Sequence, residues 1–150
     1  MDIPLEDVAL RLGAAVGAGM LVGLNRDLRN KPIGMRTLGL VALGAAVITI
    51  ATVHMHDMVS HPDALSRVLQ GVIQGVMAGI GFIGAGVIMR DPEAQVVQGL
   101  TTAATVWITA ALGVACGLAA WPLAGLALGL ALFVLAGVGW LERLLSRDDR

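Results

Sequence analysis

The sequence predicts an all-α, polytopic membrane protein with five transmembrane helices, its N-terminus outside and its C-terminus inside. Three observations predict this fold: the composition, the lengths of the apolar segments and the placement of the basic residues. Of the 150 residues, 57% are hydrophobic and only 14% are charged, whereas about a quarter of a soluble domain is charged. A soluble domain of this size would need a polar shell that so few charges cannot supply. Lipid must therefore surround most of the surface.

Five segments are long and apolar enough to cross a bilayer, which takes roughly 17–25 residues. The last two come from Leu100–Leu141, which contains no charged residue and as one helix would be about 63 Å long, twice the hydrocarbon thickness. Trp121 and Pro122 mark the turn, because tryptophan favours the interface and proline ends a helix. The predicted spans are residues 8–24, 37–55, 68–89, 100–119 and 122–141, in one transmembrane domain covering residues 1–150.

The basic residues predict the orientation. With the N-terminus outside, only Arg11 and Arg67 face outward, and the other eight of the ten bases face the cytoplasm. This is a clear excess of positive charge on the inner side. The inner bases are Arg26, Arg29, Lys31, Arg36, Arg90, Arg143, Arg147 and Arg150.

Several function classes are excluded by what the sequence lacks. The net charge of −1 and the scarcity of aromatic residues provide neither a basic field nor a stacking surface for nucleic acid. We expect no enzymatic activity and no cofactor, because no nucleophile–base pair or phosphate-binding loop is visible. No carboxylate lies in the middle of a predicted span, where a cation path would usually place one.

Glycine recurs at the four-residue spacing that lets membrane helices approach closely. We interpret these glycines as packing sites within the helix bundle, with a self-association face as the alternative. The segment Gly79–Gly84 also matches a dinucleotide-binding fingerprint, but it lies inside an apolar span and not between a strand and a helix. The glycines at the four-residue spacing are the pairs Gly13/Gly17, Gly19/Gly23, Gly113/Gly117 and Gly125/Gly129, and a ladder of three, Gly71/Gly75/Gly79.

Two predicted inner segments carry polar residues. Residues 25–37 hold four bases and serve either as an anchor on anionic headgroups or as a binding surface. Residues 90–99 lead into Thr101, Thr105 and Thr109, which share one helical face. These hydroxyls are expected to join neighbouring helices, with a polar path as the alternative. His54, His56 and His61 lie in the outer loop, where a metal site is the less favoured interpretation.

Three blocks follow one another along the chain: Gly23–Arg26 with Lys31–Thr37, then Gly79–Ile88, then Gly99–Trp107. In this order they resemble the signatures of the MgtC/SapB family of membrane proteins. The resemblance implies a bacterial inner-membrane protein tied to magnesium limitation, with the F-type ATP synthase as a proposed partner. Two departures stand out. Asn25 replaces the family's usual glutamate, and we expect the soluble C-terminal domain of longer members to be absent.

Our first hypothesis is a non-enzymatic regulator that binds a membrane partner, with homo-oligomerisation as a further option. The rival is a transporter or channel component for Mg²⁺ or another ion, which uses the threonine face and backbone carbonyls. The candidate residues lie at the predicted inner face or in glycine-rich packing positions. They are Asn25, Arg26, Pro32, Gly34, Arg36, Thr37, Gly81, Gly84, Gly86, Arg90, Gly99, Thr101, Thr102 and Thr105.

Overall fold

The computed structural model describes residues 3–54, 62–90 and 97–138, without the side chains of residues 54, 62–65, 69, 89 and 90. Five helices in it are long and apolar enough to cross a membrane, which confirms the predicted number. The fold is therefore essentially all-α. The helices are α1 (Leu5–Asp27), α2 (Met35–His54), α3 (Pro62–Val87), α4 (Leu100–Gly117) and α5 (Trp121–Phe133), which continues as a π-helix over Val134–Val138.

Several helices extend beyond the predicted apolar segments because their polar ends continue the backbone hydrogen bonding. α1 begins three residues earlier than predicted, after Pro4, whose carbonyl oxygen accepts hydrogen bonds from the N–H groups of Asp7 and Val8. Glu6 and Asp7 lie in its first turn and Arg26 in its last, so each charge opposes the partial charge of the nearby helix end. The turn predicted at Trp121 is confirmed, since α4 ends at Gly117 and α5 begins at Trp121.

The core is formed by α1, α2 and α4, with α2 in the middle. Glycines bring α2 to within backbone contact of its two neighbours. A Cβ atom added at Gly19 of α1 would lie 2.5 Å from the carbonyl oxygen of Leu38, and one added at Gly113 of α4 would lie 2.9 Å from the carbonyl carbon of Ala42. The predicted packing role is therefore confirmed for Gly19/Gly23 and for Gly113/Gly117.

The packing role is wrong for the other glycines of the series, as far as the described residues show. A Cβ atom at Gly71, Gly75 or Gly79 of α3 would meet nothing within 4 Å. The pairs Gly13/Gly17 and Gly125/Gly129 are equally open. The spacing identifies a smooth helix face, but it does not determine whether the fold places another helix against that face. The ladder on α3 remains an open surface.

A short antiparallel pairing between α3 and α4 was not predicted. Strand β1 (Met89–Arg90) pairs with β2 (Val97–Gln98), with Met89 opposite Gln98 and Arg90 opposite Val97. Two-residue strands give no alternating pattern that could be read from sequence. The pairing brings the end of α3 close to the start of α4.

Two long-range hydrogen bonds fix which helix ends lie together. At one end, Arg11 Nη1 donates to the carbonyl oxygen of Gly117 at 3.1 Å, and Arg11 also pairs with Asp7 at 2.5 Å. At the other end, Arg29 Nη2 donates to the carbonyl oxygen of Ala136 at 3.0 Å. The start of α1 thus lies beside the end of α4, and the end of α1 lies beside the end of α5.

Candidate functional site

A buried arginine joins the end of α1 to the start of α4. Arg26 is only 4% exposed, and its Nη2 atom donates a hydrogen bond to the hydroxyl oxygen of Thr102, which is equally buried. The two residues are 76 positions apart in the sequence. Thr102 lies in the first turn of α4, where its side chain faces α1 and not solvent. The first and third sequence blocks therefore meet at this contact.

Few neighbouring groups compensate for the burial of the charged Arg26 guanidinium. Its Nε atom is buried and makes no hydrogen bond, and Arg26 forms no ion pair with any carboxylate that the structure describes. Its position in the last turn of α1 places the charge at the negative end of the helix dipole, which is stabilising. Because a buried cation without a carboxylate depends on its remaining contacts, the hydroxyl of Thr102 is an important one.

A tightly built turn connects α1 to α2 at the same end. The Oδ2 atom of Asp27 accepts a hydrogen bond from the backbone N–H of Met35 at 3.0 Å and so caps the start of α2. Gly34 has no room for a side chain, because an added Cβ would contact the Asp27 carboxylate. Asn30 and Ile33 both adopt positive φ angles, 51° and 63°. The connection through Pro32 and Gly34 is therefore a defined turn, held by the carboxylate of Asp27.

Gly99 sets the start of α4. Its φ angle of +91° lies in a region that side chains disfavour, and an added Cβ would contact the carbonyl oxygen of Val87 at the end of α3. Its carbonyl oxygen accepts the first helical hydrogen bond, from the N–H of Ala103. Glycine is therefore required here for both conformation and space, which explains its place in the third sequence block.

The threonines of α4 do not join helices in the way that was expected. The hydroxyls of Thr105 and Thr109 donate to the carbonyl oxygens of Thr101 and Thr105 in their own helix, at 2.7 and 2.8 Å. Thr101 itself is exposed. The hydroxyl that contacts another helix belongs to Thr102, which lies on the same buried face of α4 as Thr105 and Thr109. The four-residue spacing predicted which threonines share a helical face, but it did not predict the groups to which their hydroxyls donate.

The remaining candidates are spread along the same end of the fold. Asn25 is half-buried, whereas Pro32, Arg36 and Thr37 are exposed. On α3, Gly81 and Gly86 are exposed and open, but Gly84 packs against Ala103 with an added Cβ 3.5 Å from its Cβ.

Some predicted residues lie outside the described side chains. Arg90 belongs to β1, but its side chain is not described. The side chains of His54, His56 and His61 are not described either. The histidines on which the predicted metal site of the outer loop depends therefore lie outside the described side chains. Within the described part of the chain, no group of three or more His, Cys, Asp or Glu residues is close enough to hold a metal ion.

Comparison with known proteins identifies the family. The profile of the MgtC family matches residues 12–144, most of the chain. The chain belongs to the MgtC family. Its relatives include Protein SrpB of Synechococcus elongatus, 40% identical over 91% of this chain and 78% of that protein. Protein SapB of Bacillus subtilis is 38% identical over 74% of this chain and 47% of its own length.

Protein MgtC of Salmonella typhimurium is 45% identical over 73% of this chain, but over only 42% of its own length. This chain therefore spans less than half the length of the SapB and MgtC relatives that it matches. No solved structure matches it. For this member of the MgtC family, the structure thus supplies the arrangement of the sequence blocks. The first and third meet at Arg26 and Thr102, and the second, at the end of α3, packs against the third at Gly84 and Ala103.

Proposed function

We propose that this MgtC-family protein is a non-enzymatic regulator of magnesium homeostasis that acts by binding another membrane protein. The observation that carries the proposal is the open face of α3. This helix packs mainly against α4 and leaves its glycine ladder uncovered by any described residue. Glycine faces of this kind let a second transmembrane helix approach to backbone contact. A protein that transmits a signal within the bilayer needs such a surface.

The same helix carries large apolar side chains beside the glycines. Phe82 is 84% exposed, and Ile73 and Ile83 are also exposed. Lipid solvates such side chains well, so their exposure alone does not require a partner. Phe82 and Ile83 follow Gly79 by three and four residues and so extend the glycine face along α3, where a partner helix can make van der Waals contact with them. The F-type ATP synthase, suggested by the family resemblance, is the first candidate partner.

We further propose that the chain lies in the bacterial inner membrane, N-out and C-in. The end of the bundle that carries Arg26, Arg29, Lys31 and Arg36 would then face the cytoplasm, in agreement with the excess of bases expected there. The Arg29–Ala136 hydrogen bond supports the alternation that this topology needs, because it joins the ends of the first and fifth helices. In this orientation the cytoplasmic face carries the Arg26–Thr102 contact.

Photocross-linking in intact membranes tests the partner proposal. A photoreactive amino acid at Gly79 of α3 is expected to form a covalent adduct with a different membrane protein. The same residue at Gly129 of α5 is the control, because both positions are exposed glycines with nothing within 4 Å. Adducts from Gly129 but none from Gly79 would contradict the proposal. An adduct containing two copies of this chain would replace it with self-association.

The rival proposal is a transporter or channel component. It is favoured by the buried hydroxyls between α2 and α4, those of Thr49, Thr105 and Thr109. Each of these donates to a carbonyl oxygen of its own helix, an arrangement that satisfies the hydroxyl without an ion. Purified protein in liposomes is therefore expected to give no Mg²⁺ uptake above that of empty vesicles. Mg²⁺ uptake by the purified protein without a partner would instead support the transporter proposal.

A further inference from the structure

An open groove lies between α1 and α2, and its lining includes neither Arg26 nor Thr102 nor any residue of α3. Its volume is about 630 Å³, within the ~300–1,000 Å³ range of ligand pockets. Most of the lining is apolar, and the polar side chains are confined to one end. The lining residues are Val16, Met20, Asp27, Met35, Arg36, Gly39, Leu40 and Leu43.

The polarity of the groove changes along its length. Its polar end lies where α1 ends and α2 begins, at the connection between two helices that are long and apolar enough to cross a membrane. From Arg36 to Leu43, α2 then runs for about 11 Å, which fits within one leaflet of a hydrocarbon core of ~30 Å. A charged end at headgroup depth and an apolar trough at acyl depth match the shape of one membrane lipid.

Gly39 lies at the floor of the groove. A Cβ atom added there would lie 3.3 Å from Cγ of Met20 and 4.0 Å from Cγ1 of Val16. The absence of a side chain at Gly39 therefore lets α1 and α2 pack closely beneath the groove, where Gly39 itself is buried. Leu40 and Leu43 line the groove on α2 and offer apolar contact to an acyl chain along its length.

The two charges at the polar end select the headgroup. Arg36 is exposed, and its side chain makes no hydrogen bond or ion pair with any residue that the structure describes. Asp27 is also exposed, and its hydrogen bond to Met35 uses only part of the capacity of the carboxylate. A guanidinium binds phosphate well, and a carboxylate accepts hydrogen bonds from a primary ammonium. One cation and one anion together complement a zwitterionic headgroup.

We propose that this groove is a binding site for a phospholipid with a phosphoethanolamine headgroup. Arg36 binds the phosphate, Asp27 accepts hydrogen bonds from the ammonium, and one acyl chain lies over Gly39 between α1 and α2. A purely anionic headgroup would gain the contact with Arg36 but would be repelled by Asp27. A choline headgroup keeps the phosphate but has no N–H group to donate. The site requires no protein partner and is independent of the regulator proposal.

Native mass spectrometry of the detergent-purified chain tests the proposal with three lipids of identical acyl chains. These carry phosphoethanolamine, phosphocholine or phosphoglycerol headgroups. We expect the phosphoethanolamine lipid to bind about tenfold more tightly than either of the others, the difference that one charge-assisted contact supplies. Equal binding of all three lipids, or tighter binding of the phosphoglycerol lipid, would overturn the assignment.

Variants locate the site. Gly39→Leu crowds Met20 and Val16 at the floor of the groove and is expected to weaken binding of the phosphoethanolamine lipid about tenfold. The control is Gly44→Leu on the same helix, where an added Cβ meets nothing within 4 Å.

Two further variants test the headgroup contacts. Arg36→Gln changes an exposed residue without endangering folding, and it should weaken the binding of all three lipids. Asp27→Asn keeps an oxygen for the Met35 N–H and should abolish only the preference for ethanolamine. Unchanged binding in both Gly39→Leu and Arg36→Gln would refute the site.

Discussion

Gly113→Leu is expected to prevent α2 and α4 from packing and so to destroy the native core. An added Cβ at this position would contact the carbonyl oxygen of Ala42 and lie 2.9 Å from its Cα atom. Both are backbone atoms of a helix that is itself held against α1, so the clash cannot be relieved by a side-chain rotation. Overpacking usually costs about 1–3 kcal/mol, and a rigid backbone contact places this variant at or above the upper end of that range.

The lone cysteine offers the measurement. Cys116 is 2% exposed within the core, so a thiol reagent modifies it only when the protein unfolds. We expect Gly113→Leu to react with such a reagent in mild detergent, under conditions in which the parent chain is protected. Gly129→Leu is the control, since leucine is a better helix former than glycine and an added Cβ there meets nothing within 4 Å. Equal protection of both variants would show that α2 and α4 do not pack through Gly113.

Thr102→Val is expected to lower the free energy of unfolding by about 2 kcal/mol, the scale of a hydrogen bond to a charged group. The variant leaves the Arg26 guanidinium buried with one partner fewer, although the size and shape of residue 102 barely change. Arg26→Met should be far better tolerated, because replacing a buried charge by an apolar chain of similar length is often neutral or stabilising.

A double-mutant cycle separates the contact from the burial of each side chain. We expect Thr102→Val to cost little once Arg26 is methionine, and the rate of Cys116 modification in increasing denaturant measures each free energy. Thr101→Val is the control, because Thr101 is exposed in the same turn of α4 and should change the stability by less than about 0.5 kcal/mol. Additive effects of the two substitutions would contradict a direct contact between Arg26 and Thr102.

The number and order of the helices could be predicted from sequence because the bilayer imposes a minimum apolar length on every span. The turn after Gly117 was predictable for the same reason: one uncharged segment was too long for a single crossing. The helix ends were less predictable. α3 begins at Pro62, six residues before the predicted span, because a helix does not end where its apolar residues end.

Glycine spacing predicted smooth helix faces but could not predict what covers them. Gly19 and Gly113 contact the backbone of α2, whereas Gly75 and Gly79 have the same spacing and contact nothing described. The difference arises from the tertiary arrangement, in which α2 is central and α3 peripheral. No local pattern contains that information.

Part of the candidate site could be predicted from the three sequence blocks, whereas its contacts depend on the three-dimensional arrangement. Arg26 and Thr102 were both candidates, but nothing in a sequence joins residues 76 positions apart. Asp27 was missed, because its capping bond to Met35 bridges eight residues and not the two or three of an ordinary helix N-cap. A carboxylate followed by a proline–glycine turn and a new helix was the signal that could have revealed it.

The sidedness of the bundle is the claim on which the cytoplasmic face, its arginines and the lipid headgroup position all depend. Thiol labelling in intact cells measures it most directly, with Cys116 first replaced by alanine and single cysteines placed at Lys31 and at Leu118, which are both exposed. We predict that a membrane-impermeant reagent labels the cysteine at position 118 in intact cells, and the one at position 31 only after the inner membrane is permeabilised. Labelling of position 31 from outside would contradict the proposed orientation, and labelling of both from one side would contradict the alternation of the helices.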